Sequence, residues 1–250
     1  MIFHTFGDKK NKTMLLIHGV LTPWQIWQDA INAFCKDYFV IVPALDAHVE
    51  EQKSDFISVE NEAEKIINYI EENCNAKIDV VCGLSMGAAI AYKIFEKNCI
   101  KINYLVLDGA PLTRANKLLI YFMTKSYLSI IHKSQNRNAR VIKNFKKSFL
   151  PEKYLESYLK FADTMSDQSV INIVQSVFST KIEKTLDCTN TKILFLCGTK
   201  ANEMLSIKAV KNLKKLYPNM VVKVFKSYAH AELAIYHSEE WIKEVAEFIK

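Results

Sequence analysis

Gly83-Leu84-Ser85-Met86-Gly87 sets one hydroxyl between two glycines, each two residues away. The stretch follows an apolar run, Ile78-Asp79-Val80-Val81-Cys82, and opens a helix-like segment from Ala88 to Lys97. A serine at a tight strand-to-helix turn is placed as a nucleophile, because flanking glycines let strand and helix approach while the hydroxyl projects outward. The bland alternative is a Gly-Ser turn without chemistry. Only 6 of the 250 residues are glycine, so chance produces this spacing less often here than in an average chain. A serine hydroxyl is also a poor nucleophile until a base takes its proton and a third group orients that base. The pattern therefore demands partners.

Six histidines are available as bases. His230 lies C-terminal to the serine, in Tyr228-Ala229-His230 after the last strand-like run, as the chain order nucleophile, acid, histidine requires. His237, near the start of the closing helix, reads as a surface residue. His48 sits in a loop ahead of the serine, where it could line a pocket but is out of order as the base. His4 and His132 have no motif around them. His18-Gly19 ends the first long apolar run and matches a loop that holds an oxyanion. A tetrahedral intermediate needs two preorganised backbone N–H donors. Met86, directly after the nucleophile, is one; Val20 is the other, or Leu21 if the loop turns later.

The elements that must position these residues alternate. Ile2 to Phe6 reads as an edge strand or hairpin, and Thr13 to Ile17 as a buried strand. Trp24 to Lys36 has helical spacing, and Tyr38 to Val42 is a strand stopped by Pro43. A helix covers Val59 to Asn73, the elbow strand and its helix follow, and Tyr104 to Leu107 is another strand. Short β-branched runs alternating with amphipathic helices signal parallel strands joined by crossover helices. Between Pro111 and Thr191 the alternation stops, and helical segments remain at Arg137 to Phe149, Glu152 to Ala162 and Gln168 to Phe178. It resumes with strands at Lys192 to Cys197 and Val221 to Phe225, a helix from Ser206 to Leu216, and a closing helix with Ser238 as N-cap. Five of the six glycines (Gly19, Gly83, Gly87, Gly109, Gly198) fall at or just past strand ends, the edge at which open α/β sheets bind ligands.

Half of the residues are hydrophobic, ample for a sizeable core and contrary to disorder. The net charge of +6 comes from basic residues interleaved with acids along most of the chain. The densest basic run, Lys125 to Lys147, reads as a solvated helical face in preference to the alternative of a phosphate or membrane contact. The six cysteines (Cys35, Cys74, Cys82, Cys99, Cys188, Cys197) are scattered without metal-ligand or disulfide spacing. No secretory signal or bilayer-length apolar run is visible, which gives a cytoplasmic expectation.

Taken together, His18-Gly19, Gly83-Leu84-Ser85-Met86-Gly87, an insertion after Leu107 and a late histidine resemble the α/β-hydrolase family, from about Thr13 to the C-terminus. Small esterase-like or lipase-like hydrolases with a helical cap are the nearest look. The resemblance implies an eight-stranded, mostly parallel sheet flanked by helices, a helical cap over the active site, and Ser–His–acid hydrolysis without cofactor or metal. On that scheme residues 1–110 and 191–250 form the core and 111–190 the cap. The family's acid usually stands a few residues past the glycine ending the penultimate strand, and Ala201 occupies that position here. Glu203 takes the role if the loop carries an extra residue or two. Asp108, at the end of the strand before the cap, is the alternative placement, and Glu203 is preferred. The family's glycine before the histidine is replaced by Ala229, whose small side chain fits. Tyr121 and Phe122 of the insertion, with Trp24 beside the oxyanion loop, are expected to line an apolar pocket. The implied substrate is a small-molecule carboxylic ester with a small or medium apolar acyl group. Thioesters, lysophospholipids, amides and C–C bonds are alternatives for the same triad, and a non-catalytic ligand-binding member of the fold is the alternative that Ala201 motivates. Neither nucleic acid nor stable membrane insertion is expected.

Overall fold

The computed structural model describes residues 1–50, 52–182 and 190–250. Cys188 and the side chains of Lys146 and Lys147 lie outside the described residues. The apolar runs become strands β1 (Ile2–Phe6), β2 (Lys12–Ile17), β3 (Tyr38–Ala44), β4 (Lys77–Leu84), β5 (Lys101–Asp108), β6 (Lys192–Gly198) and β7 (Val221–Phe225). They form one sheet in the order β1-β3-β2-β4-β5-β6-β7. Only β1 is antiparallel, pairing with β3 from Ile2 opposite Ala44 to Phe6 opposite Val40. The other pairs are parallel. Parallel strands are covered on both faces, which is why Met14, Leu15, Leu16 and Ile17 of β2 are all fully buried in succession. The described sheet thus has seven strands where the resemblance implied eight, because the chain enters through a single antiparallel strand at the edge.

Helices α1 (Gln28–Phe34), α2 (Val59–Cys74), α3 (Met86–Lys97), α8 (Met204–Leu216), α9 (Glu232–Tyr236) and α10 (Ser238–Phe248) belong to the alternating part of the chain. Residues Trp24–Trp27 form a 3-10 turn before α1 rather than its first turn. Between β5 and β6 the chain forms α4 (Lys117–Gln135), α5 (Ala139–Ser148), α6 (Leu155–Thr164) and α7 (Asp167–Ser179), with no strand among the described residues. Pro43 does not stop β3. The β2 ladder ends at Ile41, so Pro43, which has no N–H to give, faces only Phe3 of the edge strand. Ser238 is not an N-cap either: its hydroxyl donates to Asp29 at 2.8 Å, and His237 precedes the helix without a side-chain cap.

The strand order places the site. From β2 the chain steps outward to β3, then crosses back to β4 on the other side of β2. The strand order therefore reverses between β2 and β4, and ligands bind at such a switch, outside the strands' carboxyl ends. Gly19 follows β2 and Ser85 follows β4 at that point.

Candidate active site

Ser85 stands between β4 and α3 with φ +53° and ψ −110°, a conformation that a non-glycine residue holds only where its surroundings impose it. The neighbouring glycines make it attainable. A Cβ on Gly83 would lie 2.3 Å from the Gly87 carbonyl oxygen, and one on Gly87 would lie 2.2 Å from that of Ile17. The Ser85 N–H donates to the Asp108 carbonyl at 2.7 Å, tying the elbow to the end of β5.

His230 reaches this serine from the turn after β7, with Nε2 2.8 Å from Ser85 Oγ. The turn is fixed by the His230 N–H donating to Asn202 Oδ1 at 3.1 Å and the Ala229 N–H donating to Glu232 Oε2 at 2.6 Å. Behind the ring, Glu203 Oε2 lies 3.3 Å from Nδ1, ion-pair range rather than a well-aligned hydrogen bond. With the serine donating, Nε2 accepts and the ring proton sits on Nδ1, facing the carboxylate. Glu203 is almost wholly buried at the end of a 3-10 turn, Ala201–Glu203. Burial alone would raise its carboxyl, but His230, the Ser206 hydroxyl and the Gly198 N–H hold it below the ordinary glutamate value. Asp108 makes no ion pair with His230 among the described residues. Burial, reinforced by the charge of Glu203 and opposed by the Trp241 indole, pushes the Asp108 carboxyl well above the usual range. The arrangement thus brings Glu203, and not Asp108, to the histidine.

The loop after β2 is held by two histidines that the sequence does not mark for this purpose. His18 Nε2 accepts the Leu45 N–H at 3.2 Å, so its Nδ1–H donates to the Gly19 carbonyl at 2.9 Å. Thr22 donates to the same carbonyl at 2.9 Å. His48 Nε2 accepts the Leu21 N–H at 3.1 Å, and its Nδ1–H donates to the Asp46 carbonyl at 3.1 Å. Both rings must be neutral to bond this way. Burial makes them so, lowering His18 to about 3 with help from His48, and His48 to about 4 against the pull of Asp46. Leu21, at φ +56°, therefore spends its N–H on His48 and is not an oxyanion donor. Val20 borders the cavity beside Ser85, and Met86 starts α3, where the first N–H groups have no helical acceptor.

These groups open into a cavity of about 910 Å³, whose walls include Leu119, Met123 and Tyr127 of α4, with Phe149 and Phe178. Three residues expected in this lining are elsewhere. Trp24 stacks on His4 at 4.1 Å, drawn toward β1 by that ring and Phe6. Tyr121 and Phe122 lie on the solvent side of α4.

No family model matches the chain, and no curated protein matches it by sequence. Solved structures are similar to it over nearly its whole length. MGS-M2, an α/β-hydrolase enzyme from a Medee basin deep-sea metagenome library, has a TM-score of 0.78 at 14% identity, covering 99% of this chain and 93% of that one. A carboxylesterase of the thaumarchaeon Nitrososphaera gargenis gives 0.77 at 14%, with the same coverage of 99% and 93%. A bromoperoxidase of Bacillus anthracis gives 0.75 at 18%, covering 99% and 94%. The chain has the α/β-hydrolase fold.

An esterase and a bromoperoxidase share that fold, so chemistry resides in the site and not in the fold. Of the remaining histidines, His132 pairs with Asp167 at 2.6 Å on the surface. His237 stacks on Tyr228 at 4.6 Å and borders the cavity. Cys82 and Cys197 are buried, their thiols pushed up by desolvation and, for Cys197, to about 11. Neither is placed as a nucleophile. No helix among the described residues is long and apolar enough to cross a membrane.

Proposed function

We propose that this protein is a serine hydrolase that cleaves carboxylic esters of small or medium apolar acyl groups through an acyl-enzyme. The observation that carries the reading is the 2.8 Å contact from His230 Nε2 to Ser85 Oγ, backed by the buried Glu203 carboxylate at the other ring nitrogen. A serine, a base in contact with it and an orienting anion form the unit that activates a hydroxyl. Ser85 Oγ attacks the ester carbonyl carbon while Nε2 takes its proton, and the carbonyl electron pair moves onto oxygen. The N–H groups of Met86 and Val20 receive that oxyanion. Collapse expels the alcohol oxygen, which leaves with the proton from His230. Water then repeats the sequence, releasing the acid and restoring Ser85. Glu203 stabilises the imidazolium and keeps the ring's tautomer and orientation.

A non-catalytic role is disfavoured because the carboxylate missing at Ala201 is supplied two residues later by Glu203. The segment 111–190 acts as a helical cap on a core formed by 1–110 and 191–250, and its apolar side chains suit an acyl chain. Labelling with a fluorophosphonate probe tests the reading. Label is expected on the native chain and absent from Ser85→Ala, and p-nitrophenyl esters should be turned over with a preference for short to medium acyl chains. Labelling that persists in Ser85→Ala, or no labelling of the folded native chain, would overturn it.

A further inference from the structure

The fold leaves apolar side chains in solvent beside the cavity. Along α4, Leu118, Tyr121 and Phe122 are 65%, 56% and 60% exposed, and their spacing places them on one stripe of the helix. The rings of Tyr121 and Phe122 meet edge to face at 5.6 Å. The adjacent stripe of the same helix, Leu119, Met123 and Tyr127, lines the cavity. Two other lining residues, Met204 and Tyr236, are 65% and 42% exposed. Single exposed apolar residues need no explanation, but a cluster around a ligand opening marks an interaction surface.

The charge beside that stripe has one sign. Between Asp108 and Glu152 the sequence holds nine lysines and arginines and no acid, whereas the remainder of the chain has more acids than bases. Lys117, Tyr121 and Lys125 follow one another at four-residue intervals on the stripe, and Lys125 Nζ sits 5.8 Å over the Tyr121 ring. Lys117, Lys125, Lys133, Arg140 and Lys143 are exposed and make no ion pair with a carboxylate among the described residues. Arg137 is the exception, paired with Asp163 at 2.7 Å.

We propose that the outer face of α4, extended by α5, docks on an anionic lipid surface, from which the cavity takes amphiphilic esters. Aromatic and aliphatic side chains enter the headgroup region, lysine stems lie beside them, and the ammonium groups reach lipid phosphates. A polyanion such as RNA would complement the charge but leave Leu118 and Phe122 without a role. The substrate half of the proposal rests on the ester-hydrolase reading above; the docking half does not.

Flotation with phosphatidylcholine vesicles and with equal mixtures of phosphatidylcholine and phosphatidylglycerol separates the two. Native protein and Ser85→Ala should both float with the mixed vesicles, be released by high salt, and stay behind with phosphatidylcholine alone. The triple variant Lys117→Glu, Lys125→Glu, Lys133→Glu should lose binding by about a hundredfold or more. Leu118→Ser, Tyr121→Ser, Phe122→Ser should abolish it as well. Both variants should keep hydrolysis of a water-soluble short ester within about twofold, since they lie outside the cavity wall, and lose hydrolysis of an ester embedded in mixed vesicles. Equal partition to both vesicle types, no partition, vesicle binding untouched by either variant, binding to poly-uridine RNA instead, or a dimer that the apolar variant dissolves would each overturn the docking. If flotation behaves as expected but Ser85 takes no label, the hydrolase reading fails and the docking stands.

Discussion

Two buried carboxylates that feel each other's charge need not share one function, and their environments separate them. The partners of Glu203 hold its carboxyl below the ordinary glutamate value, whereas burial and the charge of Glu203 push that of Asp108 well above the usual range. Glu203→Gln is therefore expected to lower kcat/KM by about 10²–10⁴-fold with the fold intact, because the imidazolium loses its counter-ion. Asp108→Asn should retain activity within about threefold, as the carboxylate at His230 Nδ1 is that of Glu203. The pH dependence of stability has a definite sign. The unfolded chain releases the Asp108 proton near the ordinary aspartate value and the folded chain keeps it to higher pH, so the native protein loses stability as pH rises through that window. Chemical denaturation should thus show Asp108→Asn gaining on the native chain from acid to neutral pH. A flat difference, or greater activity loss than in Glu203→Gln, would reassign the triad acid. Gly109 makes a second prediction at this scale. Its φ is +61°, and an added Cβ would lie 2.8 Å from His230 Cε1 and 3.0 Å from Nδ1. Gly109→Ala should displace the imidazole from Ser85 and lower kcat by about a hundredfold or more. It should also cost about 1 kcal/mol of stability through the left-handed backbone. The elbow and the histidine that meets it were legible in the sequence because both are local: glycine spacing and chain order. The carboxylate beside His230 was ambiguous because Glu203 arrives through a 3-10 turn, which leaves no periodic signature.

At the scale of elements, the loop after β2 is shaped by residues far from it in sequence. His48, 27 positions on, is the acceptor of the Leu21 N–H and holds that residue at positive φ, next to Val20 on the cavity wall. His48→Ala removes that acceptor. The buried Leu21 N–H then costs about 1–3 kcal/mol, and kcat should fall by about tenfold or more with KM little changed, because the oxyanion forms only on the way through the reaction. Acid acts on the same loop. Below pH 6.5 the unfolded histidine takes up a proton that His48 in the fold refuses until about 4. The stability it contributes is thus present above 6.5 and falls away as pH drops toward 4, by on the order of 3 kcal/mol. The stability of His48→Gln should fall less steeply with pH through this interval; an unchanged profile would mean that His48 does not bring about the acid loss. Periodicity alone could not reveal this role, which depends on the β3–α2 loop folding back under β2. Nor could it choose between the stripes of α4. The helical spacing of the insertion fits both Leu119, Met123, Tyr127 and Leu118, Tyr121, Phe122, and only the neighbouring elements decide which one faces the cavity.

At the scale of the whole molecule, the parallel sheet was legible because strands covered on both faces read as unbroken apolar runs, while the attachment of the insertion was not. That attachment is polar and specific. The loop before α2 gives the Phe56 N–H to Ser169 Oγ at 3.1 Å and the Val59 N–H to Ser176 Oγ at 2.8 Å, and accepts from Asn172 at 2.9 Å on the Phe56 carbonyl. Ser166 and Ser169 close the set by donating to Asp55 at 2.7 and 3.1 Å. Phe56 and Val59 are fully buried at this junction, so α7 cannot lift away without exposing apolar surface and stranding two backbone donors. Helices α4–α7 and the sheet should accordingly unfold together. The three tryptophans, Trp24, Trp27 and Trp241, all lie outside the insertion, so their fluorescence reports on the core while far-ultraviolet circular dichroism also reports on the inserted helices. Thermal melts followed by the two signals should coincide. Ser176→Ala, which leaves the Val59 N–H unsatisfied, should lower stability by about 1–2 kcal/mol and Tm by about 2–8 °C in both signals. A circular-dichroism transition preceding the fluorescence transition, widened by Ser176→Ala, would instead mean that the insertion melts from the sheet as a separate unit. The cavity walls would then be lost before the core that carries Ser85 and His230.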